Sequence, residues 1–437
     1  MQRSNLPYFF LGLAAVIAVA AVAMLIVRPG VRQMPLPPTS APVTSKVPSP
    51  NIGNLPDPRK ADDPATVLKD LGIGYSTVDP AELIALIGKA LEAGDLAKMG
   101  RLIGKEALDL KTIELLKAFS SNSLKVRQPD GLREVGEIEL NARSRWALQF
   151  AGLEPGRDRI LFDLRRDHGK WSVEKIMLPP ASGESIPKAV FADSLGVADA
   201  FLQAVLKQDF EFARAFVDSS KVSDAKIAGL CILFEEGGYR LRKSKPMRAM
   251  FQRPDTAGYL ANVESADGSQ GAQFAMTMSQ RPAPSNWIVA EINLDQLLAD
   301  YARRVAGGDL YYSPLVKNPA GGDTLALYFE FDEDAMNPRT RRQLEIVTMI
   351  LRTDPGKKIT LSGYTDALGT KNYNNNLSSR RADVVRDYLT KAGVASSQIV
   401  TVAKGDSQPR RPNVTETGGD NPEGRRANRR TEIYLDF

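Results

Sequence analysis

The chain begins with a long apolar run that no charged residue interrupts. From Tyr8 to Val27 the sequence has 20 residues without Asp, Glu, Lys or Arg. As a helix this run spans about 30 Å, the thickness of the hydrocarbon core of a bilayer. The pattern predicts a transmembrane anchor within residues 1–28, with the lipid bilayer as partner of residues 8–27. The small residues Ala21-Val22-Ala23 leave open a second interpretation, a cleaved signal peptide.

A polar segment rich in proline follows the apolar run. Residues 29–64 hold ten of the 28 prolines of the chain, with Ser, Thr and Asn between them. Such a composition favours an extended, semi-rigid chain of about 3.1 Å per residue. We therefore predict a linker over 29–64 that holds the rest of the protein away from the membrane.

The periodic patterns in the middle of the chain occur twice. A helical pattern begins with a capping box of Asp79 and Glu82 around Pro80, and its continuation Ala90-Leu91 with Asp95-Leu96 returns 114 residues later. A strand pattern that begins at Trp171 returns 116 residues later at Trp287. Two matches at nearly the same offset predict tandem copies of one α+β unit, which we call the first repeat (65–187) and the second repeat (188–312). The two Trp side chains should occupy equivalent buried positions.

In each repeat, helices precede strands that end in a Trp-containing hairpin. This order of elements resembles the cone-shaped nuclear-transport-factor-2-like fold, in which helices cover a curved sheet and enclose a pocket. Neither repeat shows a convergent set of ionisable residues along the sequence. We therefore predict spacer or protein-binding modules, and the sequence does not identify their partner.

The last quarter of the chain alternates strand and helix patterns. Strands are predicted at 325–332, 359–363, 399–402 and 431–437, and helices at 339–352 and 374–391. This is a β-α-β-α-β order with a closing strand. The predicted fold class of the whole chain is α+β: a transmembrane helix, two tandem modules and this C-terminal domain.

Charge and rare residues exclude several functions. The net charge of 57 − 52 = +5 arises within residues 1–60, and the remaining 377 residues hold 51 basic and 51 acidic side chains. Because these 377 residues carry no net charge, they lack the positive field that binding to nucleic-acid phosphates requires. The single cysteine, Cys231, lies in an apolar run and is expected in the core, while the single histidine, His168, lies in a polar turn. An intramolecular disulfide and a Cys/His zinc site are therefore impossible, and we predict no metal, cofactor or catalytic residue.

One arginine interrupts the apolar stripe of the helix predicted at 374–391. Arg381 lies in line with Leu377 and Val385, whereas its neighbour Arg380 points away. A guanidinium on the buried side is costly unless an anion meets it, and Asp366 follows the nearest predicted strand. Two interpretations remain open: a cleft that binds a zwitterion, with the acid facing an ammonium and Arg381 facing a carboxylate, or an internal salt bridge that fixes the loop.

Three motifs in this region closely resemble the OmpA-like peptidoglycan-binding domain over residues 324–437: Gly-Tyr-Thr-Asp366-x-x-Gly369, Tyr-Asn374-x-x-Leu-Ser-x-x-Arg381 and Asn428-Arg-Arg. The resemblance implies that Asp366 and Arg381 hold the zwitterionic end of the diaminopimelate in a peptidoglycan stem peptide. It also assigns Thr365, Asn374, Asn428 and Arg429 to the ligand site or its border. The segment from Asn413 to Glu423 is longer than usual in that family.

The expected protein is a non-enzyme that tethers a membrane to the cell wall by binding peptidoglycan. We expect one pass through the bacterial inner membrane with the C-terminal domains in the periplasm, or a soluble periplasmic or outer-membrane location if the N-terminal segment is cleaved. One alternative is an envelope-assembly adaptor that recruits other envelope proteins through residues 65–312. A less favoured one is a peptidoglycan hydrolase, whose two carboxylates would come from the acidic run 330–334.

Overall fold

The computed structural model describes residues 64–120, 124–180, 193–281, 287–304, 313–317, 323–329, 335–336 and 338–436. The predicted membrane anchor, nearly all of the predicted linker and the acidic run 330–334 lie outside these residues. Within the described residues, no helix combines the length and the apolar character that crossing a membrane requires.

Fourteen strands in the described residues form three sheets. The first is an antiparallel sheet of order β1-β2-β3-β4, with strands at Leu132–Glu139, Arg143–Gln149, Arg159–Asp167 and Lys170–Met177. The second has the order β5-β7-β8-β9 with β6 also paired to β7, and its strands are Tyr239–Leu241, Met247–Gln252, Thr256–Ser265, Gly271–Gln280 and Trp287–Asn293. The third has the order β10-β11-β14-β12-β13, with strands at Leu315–Lys317, Asp323–Tyr328, Lys358–Gly363, Ile399–Ala403 and Arg430–Asp436.

Helices accompany each sheet. Those that precede the first sheet are Pro64–Lys69, Pro80–Glu92, Leu96–Ile103 and Leu110–Ser120. Those around the second sheet are Ser194–Leu206, Phe210–Arg214, Asp224–Glu236 and Asp295–Arg304. The C-terminal helices are Pro338–Thr353, Lys371–Lys391, the 3-10 turn Ser396–Gln398 and Pro422–Asn428. The mixed helix and sheet content agrees with the α+β prediction.

The helical parts of the two predicted repeats have the same local geometry. Helices Pro80–Glu92 and Ser194–Leu206 both have 13 residues and begin 114 positions apart, each capped by an aspartate, Asp79 or Asp193. The predicted capping box is wrong in one respect. The Glu82 carboxylate accepts a hydrogen bond from the Thr77 hydroxyl instead of closing back on the cap residue.

The strands of the two repeats also have β-bulges at equivalent positions. In the β3/β4 pair one extra residue, Glu174, bulges from β4, and in the β8/β9 pair Ala290 bulges from β9 at an offset of 116. The β1/β2 and β6/β7 pairs have bulges at Val135 and Met250, 115 positions apart. Because a bulge redirects the strand after it, shared bulges give the two sheets similar shapes.

The two tryptophans at the start of β4 and β9 differ from expectation in one respect. Trp171 pairs with Arg166 and Trp287 with Gln280, so their positions in the two sheets correspond. Both side chains are only half-buried, and the prediction that they are buried was wrong. Each lies within the first two residue pairs of its two strands, and the Arg166 guanidinium lies 5.8 Å from the Trp171 ring centre.

The second and third sheets share one apolar core. This core joins residues of the helix Asp224–Glu236 to residues of β11 and of the helix Pro338–Thr353. Charged contacts cross the same boundary: Arg339 Nε lies 3.0 Å from a Glu236 carboxylate oxygen, and Lys357 Nζ lies 2.8 Å from Glu211. The C-terminal sheet is therefore packed directly on the second repeat.

A buried arginine of the first repeat also contacts the second repeat. Arg145 on β2 makes two hydrogen bonds to Asp163 on β3, at 2.6 and 3.0 Å, and lies 2.7 Å from Asp193, the cap of Ser194–Leu206. Arg145 and Asp163 are almost completely buried. Arg143, two positions earlier on the same strand, pairs with Glu174 in a partly exposed setting.

Arg145→Ala should lower the free energy of unfolding by about 3–5 kcal/mol, because it leaves the Asp163 carboxylate buried without its partner. Arg143→Ala is the matched control and should cost less than about 1 kcal/mol. Urea unfolding of the parent and both variants measures the difference. Equal losses for the two variants would contradict the role given to Arg145.

Candidate functional site

The residues singled out in the sequence converge on a small cavity in the C-terminal domain. The cavity has a volume of about 150 Å³ and lies where the loop after β12 meets the helix Lys371–Lys391. Its walls comprise Thr365, Asp366, Leu368, Gly369, Tyr373, Asn374, Leu377, Arg381 and Arg429. Five of the six predicted site residues are in this set, and Asn428 is the exception.

The position of the cavity depends on the close packing of the helix Lys371–Lys391 against β12. Gly363 ends β12, and a Cβ atom at this position would lie 2.0 Å from the Ser378 carbonyl oxygen. Only glycine allows the helix to approach so closely. Ser378 also accepts a hydrogen bond of 3.0 Å from the Gly405 amide, which ties the loop after β13 to the same turn of helix.

The Asp366 carboxylate is buried among positive charges. Its Oδ2 atom accepts a hydrogen bond of 3.1 Å from Arg429 Nη1 and lies 3.8 Å from Arg425 Nε. Its Oδ1 atom accepts from the Leu368 amide at 3.1 Å, which closes the turn after the strand. Charge-assisted bonds of this kind fix the direction of a carboxylate.

The Arg381 side chain is fully buried, as its place in the apolar stripe predicts. Its Nη1 atom donates to the Tyr364 carbonyl oxygen at 3.0 Å, and its guanidinium lies 5.4 Å from the Phe329 ring centre. Among the described residues, the ion pairs of Asp366 are with Arg429 and Arg425, so the salt bridge between Asp366 and Arg381 is not formed. Arg380 is exposed, as expected.

Two buried residues in the cavity wall carry polar atoms without hydrogen-bond partners. These atoms are Thr365 Oγ1 and both amide atoms of Asn374, and no described residue donates to them or accepts from them. A buried polar group left in this state costs about 1–3 kcal/mol. Because both residues line one cavity, a ligand's own polar atoms could supply the missing partners.

Asn428 has a different position from the other predicted site residues. Its Oδ1 atom accepts from the Arg410 amide at 2.8 Å and the Arg411 amide at 3.2 Å. Its Nδ2 atom donates to the Arg411 carbonyl oxygen at 2.8 Å and to Asn413 Oδ1 at 2.9 Å. Asn428 therefore holds the loop at 410–413, and that loop borders the site because Asn413 Oδ1 also accepts from the Ala367 amide.

Sequence reasoning missed the helix Pro422–Asn428 and its residue Arg425. The signal was present, since Asn421 caps this helix and Pro422 occupies its first position. Arg425 also contacts Asp420, which lies in the segment predicted to be longer than usual.

The charges in the cavity wall define what the cavity can bind. Among the described residues, the wall combines two guanidiniums, Arg381 and Arg429, with one carboxylate, Asp366. Guanidiniums can bind an anionic group and a carboxylate can bind a cationic one, and the polar atoms of Thr365 and Asn374 can pair with further donors and acceptors. The described residues contain no group of three or more His, Cys, Asp or Glu that could hold a metal ion.

Comparison with known proteins identifies the class of this domain. Residues 328–422 match the model of the OmpA family, and this part of the chain is an OmpA-like domain. Over 107 residues the chain is 38% identical to the peptidoglycan-binding protein ArfA of Mycobacterium bovis, a stretch covering 24% of this chain and 31% of that protein. It is also 38% identical over 108 residues to outer membrane protein A of Bordetella avium, covering 25% of this chain and 53% of that protein.

A solved structure matches the same quarter of the chain. The peptidoglycan-associated lipoprotein from Burkholderia pseudomallei is 28% identical with a TM-score of 0.24, and the match covers 25% of this chain and 89% of that one. The chain thus spans from about a third to about half the length of the two curated relatives named above.

Two buried asparagines give opposite predictions for stability. Asn428→Ala should lower the free energy of unfolding by about 2 kcal/mol or more, because it leaves the Arg410 and Arg411 amides without partners. Asn374→Ala should not lower it, because it removes two buried polar atoms that have no partner among the described residues. Urea unfolding compares them, and an equal, large loss in Asn374→Ala would show that its amide is engaged within the protein.

Proposed function

We propose that this chain is a non-catalytic envelope protein whose C-terminal domain binds peptidoglycan through the zwitterionic end of diaminopimelate. The observation that carries the proposal is the cavity of about 150 Å³, in which Asp366, Arg381 and the orphan polar atoms of Thr365 and Asn374 converge. Its relatives support the same function, since ArfA is a peptidoglycan-binding protein by name.

The ligand chemistry follows from the charges. An ammonium group would donate to the Asp366 carboxylate, and a carboxylate on the same carbon would accept from the Arg381 guanidinium. Thr365 and Asn374 would bond the remaining polar atoms, and the apolar walls of Leu368 and Leu377 would contact the methylene chain. A volume of 150 Å³ equals that of about five water molecules, which suits the end of one amino-acid side chain better than a sugar ring.

The rest of the chain would hold this domain at a distance from a membrane. We propose the domain division 1–28, 29–64, 65–187, 188–312 and 324–437, with a single-pass inner-membrane anchor and a periplasmic location for the described residues. The matched caps and bulges of the two repeats support a duplication, and their element order supports the cone-like fold. The core shared by the second repeat and the C-terminal sheet supports a spacer role.

Sedimentation with purified sacculi that contain diaminopimelate tests the proposal. Asp366→Asn and Arg381→Gln should each weaken retention by more than about 30-fold, because a charged ligand group in a buried site loses its partner, at a cost of about 2–5 kcal/mol. Thr365→Val removes only an orphan hydroxyl, so it should keep the fold and still weaken binding.

Arg380→Ala is the control, since it removes a positive charge from the exposed face of the same helix and should bind like the parent. Circular dichroism of each variant establishes that it is folded. If the folded variants at Asp366, Arg381 and Thr365 all sediment like the parent, this cavity is not the peptidoglycan site.

A further inference from the structure

A second, larger cavity lies mainly in the first repeat, and none of its lining residues belongs to the three motifs. It has a volume of about 680 Å³, within the range of about 300–1,000 Å³ that is usual for small-molecule sites. The start of the helix Pro80–Glu92, the strands β1 and β2 and the β3/β4 hairpin line it. The turn at 243–245, from the second repeat, lies at its edge.

Two buried glutamates are part of its wall. Glu134 and Glu137 on β1 pair with Trp146 and Ser144 on β2, so all four residues lie on one face of the sheet. All four are buried, and each lines the cavity. The order of residues along the sequence predicts no convergent ionisable set in either repeat, and this prediction was wrong for the first repeat. The bulge at Val135 brings both carboxylates to one face.

The Glu137 carboxylate lacks a short contact with any described residue. Its Oε2 atom accepts no hydrogen bond, and the nearest cationic atom, Arg248 Nε, lies 3.7 Å away. Its Oε1 atom lies 3.5 Å from Lys245 Nζ and 3.4 Å from the Asn141 amide nitrogen. Normal bonds to a carboxylate are about 2.7–3.2 Å, so Lys245 and Arg248 balance this charge at longer range and leave Oε2 open as a hydrogen-bond acceptor.

The second repeat shows that the fold does not need these carboxylates. The matching bulges align Glu134 with Ala249 and Glu137 with Gln252, and Tyr259 takes the place of Trp146. At this place in the second repeat the Tyr259 hydroxyl forms a hydrogen bond of 2.7 Å with the Ser194 hydroxyl, and both side chains are uncharged. The acidic, tryptophan-containing wall is therefore a property of the first repeat alone.

We propose that this cavity binds a ligand that carries an ammonium group on an apolar chain. At its edge Asp79 and Asp130 are balanced by Lys243 and Arg166, and the lining residue Arg133 is paired with Asp199. The two buried carboxylates therefore face one remaining lining cation among the described residues, Lys245, and they determine the preferred charge. Ammonium groups also bind favourably to the faces of Trp rings. Burial and the neighbouring Glu137 charge raise the pKa of Glu134, and a bound cation would oppose this effect.

The probe is cadaverine, a diamine on a five-carbon chain, with 1,5-pentanediol as its uncharged analogue. The experiment uses the full-length protein carrying Trp287→Phe, in which the two remaining tryptophans, Trp146 and Trp171, both line the cavity. Cadaverine should change the tryptophan fluorescence with saturation, and pentanediol should not. An equal response to the two compounds would overturn the proposal.

Variants assign the effect to the cavity. Glu137→Gln should weaken cadaverine binding by at least 10-fold, and Glu139→Gln, which removes an exposed charge at the end of the same strand, should leave it unchanged. The Lys245 ammonium lies 3.5 Å from Glu137 and would compete with the ammonium of the ligand. Lys245→Met removes it and should raise the affinity for cadaverine several-fold. Unchanged affinity in a folded Glu137→Gln protein, or in Lys245→Met, would contradict the proposal.

Discussion

The Arg381 side chain carries a permanent positive charge into the interior of the C-terminal domain. The structure around it depends on keeping this buried charge in contact with acceptor groups. A guanidinium does not lose its proton at physiological pH, so burial requires acceptors. The loop after β12 supplies the Tyr364 carbonyl oxygen, and Phe329 supplies a ring face. This arrangement depends on Gly363, which lets the helix approach the strand until the guanidinium reaches the loop.

The negative charge of the site is held by different residues. Arg429 and Arg425 fix Asp366, and the Leu368 amide closes the loop around it. Because the acid and Arg381 are held separately, they are not joined in a salt bridge that a ligand would first have to break. The positions of both charges are set before binding, which lowers the ordering cost of association.

Local signals in the sequence predicted much of this arrangement. The 3.6-residue period placed Arg381 on the buried face, and the end of a short strand placed Asp366 beside it. The partners of Asp366 could not be predicted, because Arg425 and Arg429 lie about 60 positions later, in a short helix and directly after it, and the packing of that helix is set by tertiary contacts. The wall of the second cavity was missed for another reason: Glu134 and Glu137 are three positions apart, which simple alternation puts on opposite faces, and only a bulge reunites them.

The central claim is that the Arg381 guanidinium recognises a carboxylate on the peptidoglycan stem peptide. Calorimetric titration of the protein with two soluble stem peptides tests it most directly, one with diaminopimelate at its third position and one with lysine. The two ligands differ by that carboxylate alone, and both retain the ammonium that would meet Asp366. The account predicts that the lysine peptide binds at least 10-fold more weakly. Equal affinities would contradict it.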